Sequence, residues 1–186
     1  MISGSELRKG VIIEHDGKLY QIVEYAHVKM KRTALAHVKM RDLEGGHIID
    51  KSFQSDAKFT RVRLDVRPMQ YLYNDGDLYY LMDDETFEQT PVNAEAFGDK
   101  VSYLKEGMSI QVASYKENII DIELPITVDL VVTDTQPGFK GDTVTAGSKP
   151  ATLETGITIN VPMFINTGDK IKVDTRDGSY LERVNS

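Results

Sequence analysis

The rhythm of this chain constrains its fold more than any other feature. Short alternating or apolar runs recur along all 186 residues. They are separated by Gly, Asn, Asp and Pro at a spacing of about 8 to 12 residues, which is the spacing of hairpins in small barrels and sandwiches. Residues 11–14 and 19–25 flank His15-Asp16-Gly17, an Asp-Gly hairpin signal. Ala34, Ala36, Val38 and Met40 alternate with Leu35, His37, Lys39 and Arg41, which gives a strand with one apolar face and one largely basic face. Residues 29–33 then form the tip of a hairpin. Glu44-Gly45-Gly46 turns the chain again, and residues 47–53 read as a further strand. Residues 64–73 and 78–82 pair about Asn74-Asp75-Gly76, and residues 109–115 and 119–124 pair across Lys116-Glu117-Asn118. After a joint at Pro125, residues 128–133, 157–161, 170–174 and 179–184 supply more strands, with Asp177-Gly178 closing the last hairpin. One short helix is expected at residues 93–100, with Asn93 as its N-cap and Gly98 near its end. The simplest parse is all-β, with three small barrels at residues 1–63, 64–126 and 127–186.

Hydrophobic residues at 40% and charged residues at 27% are ordinary for a folded chain. No run reaches the roughly 18 apolar residues of a membrane helix, and the first residues lack a secretory pattern, so a cytoplasmic protein without a membrane partner is expected. With no cysteine there is no disulfide, thiolate nucleophile or cysteine-bound zinc. The net charge of −7 argues against nucleic acid until it is divided along the chain. Residues 1–63 carry 12 Lys/Arg against 8 Asp/Glu and all four histidines, residues 64–126 carry 4 against 13, and residues 127–186 carry 6 against 8. The first third is basic and the middle strongly acidic. From His27 to Arg41 there are Lys29, Lys31, Arg32, Lys39 and Arg41 with no acid among them, a finger suited to RNA.

Catalytic patterns fail on inspection. The run Gly141 to Lys149 is glycine-rich, yet its Lys follows Ser148 and precedes Pro150, whereas a phosphate loop needs Gly-Lys-Ser/Thr opening a helix. His15, His27, His37 and His47 recur without a metal-ligand pattern and read as strand-surface residues. Asp83-Asp84-Glu85 followed by Thr86 reads as a solvated turn. No nucleophile arrangement, metal or cofactor site is expected, and the chain is not read as an enzyme.

The third domain carries a long motif: Val132-Thr133-Asp134-Thr135-Gln136-Pro137-Gly138-Phe139-Lys140-Gly141-Asp142-Thr143, then Gly147-Ser148-Lys149-Pro150-Ala151-Thr152-Leu153-Glu154-Thr155-Gly156. It closely resembles the signature of the elongation factor P family. Val161-Pro162-Met163-Phe164, the segment Gly168 to Val184, and Tyr71-Leu72-Tyr73-Asn74-Asp75-Gly76 are similar too, so the resemblance covers essentially the whole chain. It implies an N-terminal SH3-like, KOW-type barrel and two OB-fold barrels in an L shape like tRNA. It also implies a monomer that binds the ribosome, through rRNA and ribosomal proteins, between the peptidyl and exit sites. There it stimulates peptide-bond formation and relieves stalling at consecutive prolines. The related factor of archaea and eukaryotes has two domains, and the third domain here sets this chain apart.

In the family the tip of the N-terminal hairpin carries a Lys or Arg, often lengthened by a modifying enzyme, that reaches peptidyl-tRNA. Aligning from Ala34-Leu35-Ala36-His37-Val38-Lys39 places Lys31 on that position, with Lys29 and Arg32 as alternative apical residues. The common Pro-Gly-Lys-Gly is replaced by Lys29-Met30-Lys31-Arg32-Thr33, and without glycine a positive φ at the tip is costly. Gly141, Asp142 and Thr143 match a family loop that approaches mRNA in the exit site, while Tyr180 and Arg183 match residues linked to ribosome contact. Against those roles stand a turn for Asp142 and a barrel-core aromatic for Tyr180. Two other functions remain: a paralogue with a distinct ribosomal role, or a single-stranded nucleic-acid protein using its OB barrels. The latter needs exposed aromatics interleaved with Lys/Arg.

Overall fold

Alternation becomes strand throughout the computed structural model, which describes residues 1–30, 32–138 and 147–185, with Met30 by its backbone alone. Three antiparallel-hairpin sheets follow one another along the chain. The first has six strands in the order β1-β6-β2-β3-β4-β5: β1 (Ile2–Ser3), β2 (Ile12–His15), β3 (Lys18–Met30), β4 (Thr33–Asp42), β5 (Ile48–Gln54) and β6 (Lys58–Val62). The second runs β11-β10-β7-β8-β9, from β7 (Asp65–Asp75), β8 (Leu78–Asp83), β9 (Gln89–Asn93), β10 (Ser109–Tyr115) and β11 (Asn118–Glu123). The third runs β14-β13-β12-β15-β16, from β12 (Thr127–Thr135), β13 (Ser148–Leu153), β14 (Thr158–Pro162), β15 (Lys170–Asp174) and β16 (Tyr180–Arg183).

The second and third sheets share one plan. In each the first strand is central, the next two lie on one side and the last two on the other, and the central strand shifts register against its hairpin partner, at Tyr71/Tyr73 and at Val132/Asp134. Such bulges bend and twist a strand, as a small curled sheet requires. By backbone contacts the chain forms two compact units, Met1–Val66 with Ala113–Asp121, and Arg67–Val112 with Ile122–Ser186.

Packing follows the faces. Leu7, Ile13, Ile22, Val38, Met40 and Phe59 fill the first core. In the second sheet Tyr71, Leu81, Phe97, Ile110 and Ile122 are buried, and Leu130, Val132, Leu153, Ile165, Ile171 and Val173 fill the third core. Ala36, Val38 and Met40 are wholly buried, as their alternation requires. Within the second unit Tyr103 and Met108 pack against the third core, and Lys105 pairs with Glu154 at 3.1 Å.

The expected helix at 93–100 is replaced by two 3-10 turns, Ala94–Ala96 and Gly98–Tyr103, and the Asn93 side chain makes no cap bond. A run this short cannot repay helix nucleation, and Gly98 at φ 55° interrupts it. The turn at 74–76 lies one residue further on: Asp75 pairs with Leu78, leaving Gly76-Asp77 as the connection. The hairpin tip expected at 29–33 is tighter, since Met30 pairs with Thr33. β13 escaped the sequence reading because it contains Pro150. Its pairing with β12 stops at Ala151, so that proline deprives β12 of no ladder bond.

One loop recurs in all three sheets. Where β4 leads to β5, β8 to β9 and β15 to β16, the strand ends on a buried aspartate: Asp42, Asp83 or Asp174. In each loop the aspartate N–H donates to the carbonyl five residues on, and its carbonyl accepts from the N–H four residues on. The carboxylate then accepts from the loop's own N–H groups: Glu44 and Gly45, Glu85 and Thr86, or Arg176, all between 2.8 and 3.1 Å. The fourth residue after the aspartate has positive φ, and is Gly46, Phe87 or Gly178. Backbone N–H bonds hold Asp42 and Asp83 below the ordinary carboxylate value, led by Gly45 and Glu85 respectively. The side chain of Arg176 holds Asp174 down at about 2.

Two outcomes follow from this packing. Leu130→Ala empties a site with no exposure and should lower the stability of the second unit by about 3 kcal/mol, read by urea unfolding. Carboxylates held below their ordinary value of 3.8 stabilise the fold above that value, and the contribution fades as pH falls toward about 2. The parent should therefore lose stability across that window. Asp174→Asn should be less stable at neutral pH and show a shallower acid slope.

Candidate functional site

The basic finger begins as an ordinary hairpin and then outruns its sheet. β3 and β4 pair from Tyr20↔Asp42 to Met30↔Thr33, with a register shift between Ile22 and Glu24. β5 follows only as far as Gln54 opposite Leu35, and the Ser55 N–H donates to the Ala34 carbonyl just beyond. The last pairs of β3 and β4 thus extend past the sheet. Lys29 and Arg32 are exposed at that end. Lys31, the residue on the family's modified position, lies outside the described residues. Met30 and Thr33 are paired, so residues 31 and 32 are the whole covalent connection between the strands.

Further back, two lysines are paired with carboxylates. Lys39 lies 2.9 Å from Glu24, whose hydrogen bond and charge raise its pKa, and Lys51 lies 3.8 Å from Asp16. His37 Nε2 is 2.8 Å from Asp50, and its Nδ1 is 2.8 Å from the Ser52 hydroxyl. This Ser52–His37–Asp50 line was invisible in the sequence because it needs the β4–β5 register, in which His37 faces Ser52. Its histidine and aspartate are about half exposed, 47% and 50%, where water competes for each bond; it ties β5 to β4. His15, His37 and His47 each lie beside an aspartate, and His15 also packs edge-on against Phe53 at 5.2 Å.

At the far end of the chain, Gly141, Asp142 and Thr143 lie outside the described residues. The neck of their loop is described, and it is pinned. The Thr133 hydroxyl donates to the Thr152 carbonyl at 3.1 Å, and the Thr135 hydroxyl to the Pro150 carbonyl at 2.9 Å. Lys149, 5% exposed, donates from Nζ to the Gln136 carbonyl at 2.5 Å. A buried ammonium needs such an acceptor. The sequence reading used Lys149 to reject a phosphate loop and missed this role; its signal was a lysine within an alternating apolar strand.

Tyr180 packs against the third core, in keeping with a barrel-core aromatic. Arg183 is half exposed, with its guanidinium 3.9 Å from Asp169 and 5.7 Å from the centre of the Phe164 ring. Among the described residues no group of three or more His, Cys, Asp or Glu is placed to hold a metal. The acidic run resolves into Asp83 as a buried loop acceptor, paired with Arg67 at 3.7 Å, beside exposed Asp84 and Glu85. No helix among the described residues is long and apolar enough to cross a membrane.

Three family models match in order along the chain: the elongation factor P KOW-like domain at residues 3–59, the elongation factor P OB domain at 64–122, and elongation factor P, C-terminal, at 128–183. Elongation factor P of Thermoanaerobacter sp. (strain X514) is 50% identical over 99% of this chain and 100% of its own length. That of Caldanaerobacter subterraneus subsp. tengcongensis is 48% identical over the same shares. Among solved structures, translation initiation factor 5A from Methanococcus jannaschii aligns with a TM-score of 0.54 at 18% identity, over 65% of this chain and 94% of that one, a likeness of fold. With three matched domains in sequence and half of all residues shared end to end with named relatives, this all-β chain of KOW-like and OB barrels belongs to the elongation factor P family of translation elongation factors.

Proposed function

We propose that the chain binds the ribosome between the peptidyl and exit sites and relieves stalling at consecutive prolines by positioning peptidyl-tRNA with its hairpin tip. Family membership implies a ribosomal partner. The observation that carries the rest is local: β3 and β4 outrun β5, and the cations at that end, Lys29 and Arg32 flanking Lys31, extend beyond the Lys39–Glu24 ion pair nearer the hairpin's base. A phosphate backbone meets unspent charge first at the tip.

The chemistry is that of orientation. Proline's ring fixes φ and restricts how its amine and ester align for peptide transfer. A cation bonded to phosphate and ribose oxygens of peptidyl-tRNA holds the reactants near attack geometry, an effect worth several kcal/mol, or about 10² in rate. The bond-making groups belong to the ribosome, and this factor supplies position. Lys31 is the clamp, a lysine-modifying enzyme extends its reach, and Lys29 and Arg32 add backbone contacts. At the other end the loop holding Gly141, Asp142 and Thr143 touches mRNA, with Tyr180 and Arg183 supporting the ribosome contact. In this reading residues 1–63, 64–126 and 127–186 are three domains, the first for peptidyl-tRNA and the third for the exit site.

Two experiments test it. In reconstituted translation of a reporter with consecutive prolines, Lys31→Ala should lose most of the rescue while keeping ribosome affinity. Full rescue by that variant moves the apical role to Arg32 or Lys29, no rescue by the parent favours a paralogue with a distinct ribosomal role, and the intact mass from the native cell reports any modification. At the other end, Asp142→Ala with Thr143→Ala should weaken binding to proline-stalled ribosomes, and Lys149→Met should do the same by freeing the loop's neck. Unchanged affinity in both would make that loop merely structural.

A further inference from the structure

The second sheet exposes an aromatic face that neither the hairpin tip nor the mRNA loop uses. Tyr73 on β7 and Tyr80 on β8 stack with ring centres 4.7 Å apart and planes 20° from parallel, and Tyr80 pairs in turn with Pro91 on the edge strand β9. Leu81 and Val92, next to Tyr80 and Pro91 in their strands, are buried, and the β7 register shift between Tyr71 and Tyr73 sets Tyr73 opposite Tyr80, so these three lie on the outer surface of the sheet. Tyr73 is 45% exposed. Phe87, in the loop that ends the same hairpin, is 70% exposed and takes the left-handed position that the other two aspartate loops fill with glycine.

Charge decides what such a face can meet. From Pro68 to Asp99 the chain has eight Asp/Glu and no Lys, Arg or His. Asp75 and Asp77 stand at the β7–β8 turn, and Asp84 and Glu85 at the β8–β9 loop, so carboxylates bracket the tyrosines at both ends of the strands. Nucleic acid draws its affinity from Lys and Arg contacts to phosphate, and here the cation on β7, Arg67, already faces Asp83 at 3.7 Å among carboxylates, so a single-strand stacking platform lacks its electrostatic half. A cationic polypeptide suits both halves: a guanidinium stacks flat on a tyrosine ring, and its neighbours along the peptide pair with the bracketing carboxylates.

The geometry points to a docking face for an arginine-rich protein segment, formed by Tyr73, Tyr80 and Pro91 between the carboxylates of the two hairpin ends. This goes beyond the role of the tip and does not depend on it. The test titrates the isotope-labelled full chain with a short peptide of alternating Arg and Gly, followed by amide and aromatic NMR signals. Signals of β7, β8 and β9 should shift and saturate, and Tyr73→Ser with Tyr80→Ser should weaken binding about tenfold although every carboxylate remains. Leu78→Arg, which sets a cation at the start of β8, should weaken it as well, and gives the reading if the double variant loses its native signal dispersion. Binding by both variants as tight as the parent's overturns the proposal in favour of unspecific attraction to acids. Shifts of the same signals by a uridine oligonucleotide, or by raising the protein concentration alone, overturn it in favour of nucleic acid or a second copy of this chain. Proline rescue is not read here, so failure of this face leaves the reading of the tip untouched.

Discussion

A carboxylate buried at the end of a strand is the interaction on which each of the three sheets turns. A hairpin loop that does not continue the ladder leaves N–H groups with no strand to bond, and an orphaned buried donor costs as much as a lost hydrogen bond. Asp42, Asp83 and Asp174 accept those groups within their own loops. Burying the charge is tolerable because a cation stands by: Lys18 from β3 at 3.4 Å, Arg67 from β7 at 3.7 Å, and Arg176 from the loop itself at 2.7 Å. In the first two cases the cation comes from a neighbouring strand, so the loop is tied to its sheet as well as to itself. Register follows, since a slip of one residue would expose the aspartate and bury its neighbour.

Where that loop varies, it varies informatively. Gly46 and Gly178 take positive φ at little cost, and a Cβ on Gly178 would sit 2.7 Å from the Tyr103 hydroxyl, so this glycine also makes room for packing within the second unit. Phe87 holds the same conformation at φ 59° with a large side chain, which costs about 1 kcal/mol or more. The β10–β11 turn bears a similar strain at Lys116 and Glu117, with φ of 48° and 68°. Right-handed strand twist favours that turn geometry in a two-residue hairpin, and the ladder on either side enforces it on residues that do not prefer it.

Much of this was legible before any coordinates. The hairpins at 15–17 and 116–118, the basic and apolar faces of β4, and the three-sheet rhythm all rest on period-2 patterning and turn chemistry, which act over a few residues. The spacing Asp-x-x-x-Gly occurs at both 42–46 and 174–178, so two of the three aspartate loops were open to view, and Phe87 masked the third. What stayed hidden depends on pairing across the sheet. β13 carries a proline that only its register with β12 excuses, the Ser52–His37–Asp50 line exists only once β4 and β5 are aligned, and Tyr73 faces Tyr80 only because β7 shifts register between Tyr71 and Tyr73. The candidate site divides in the same way. Lys31 and residues 141–143 are singled out by resemblance alone, whereas the hairpin that carries the first and the neck that carries the second are seen in the geometry.

The distribution of paired and unpaired charge then ties the fold to its work. Formal charge makes the first third basic, yet part of that charge is spent internally, by Lys39 on Glu24, Lys51 on Asp16 and Lys18 on Asp42. A cation already bonded to a carboxylate offers little to phosphate, because binding would first have to break the pair. Net charge by segment therefore overstates the reach of the basic face and understates the selectivity of its end, where the strands have outrun the carboxylates of β5. The middle sheet shows the converse. Between Pro68 and Asp99 it carries acids at 75, 77, 84 and 85 and no basic residue, and the flanking Arg67 is committed to Asp83 at 3.7 Å. A chain of net charge −7 can thus leave cations exposed at one hairpin end and carboxylates on another sheet, because neutralisation is decided strand by strand and not by the sum.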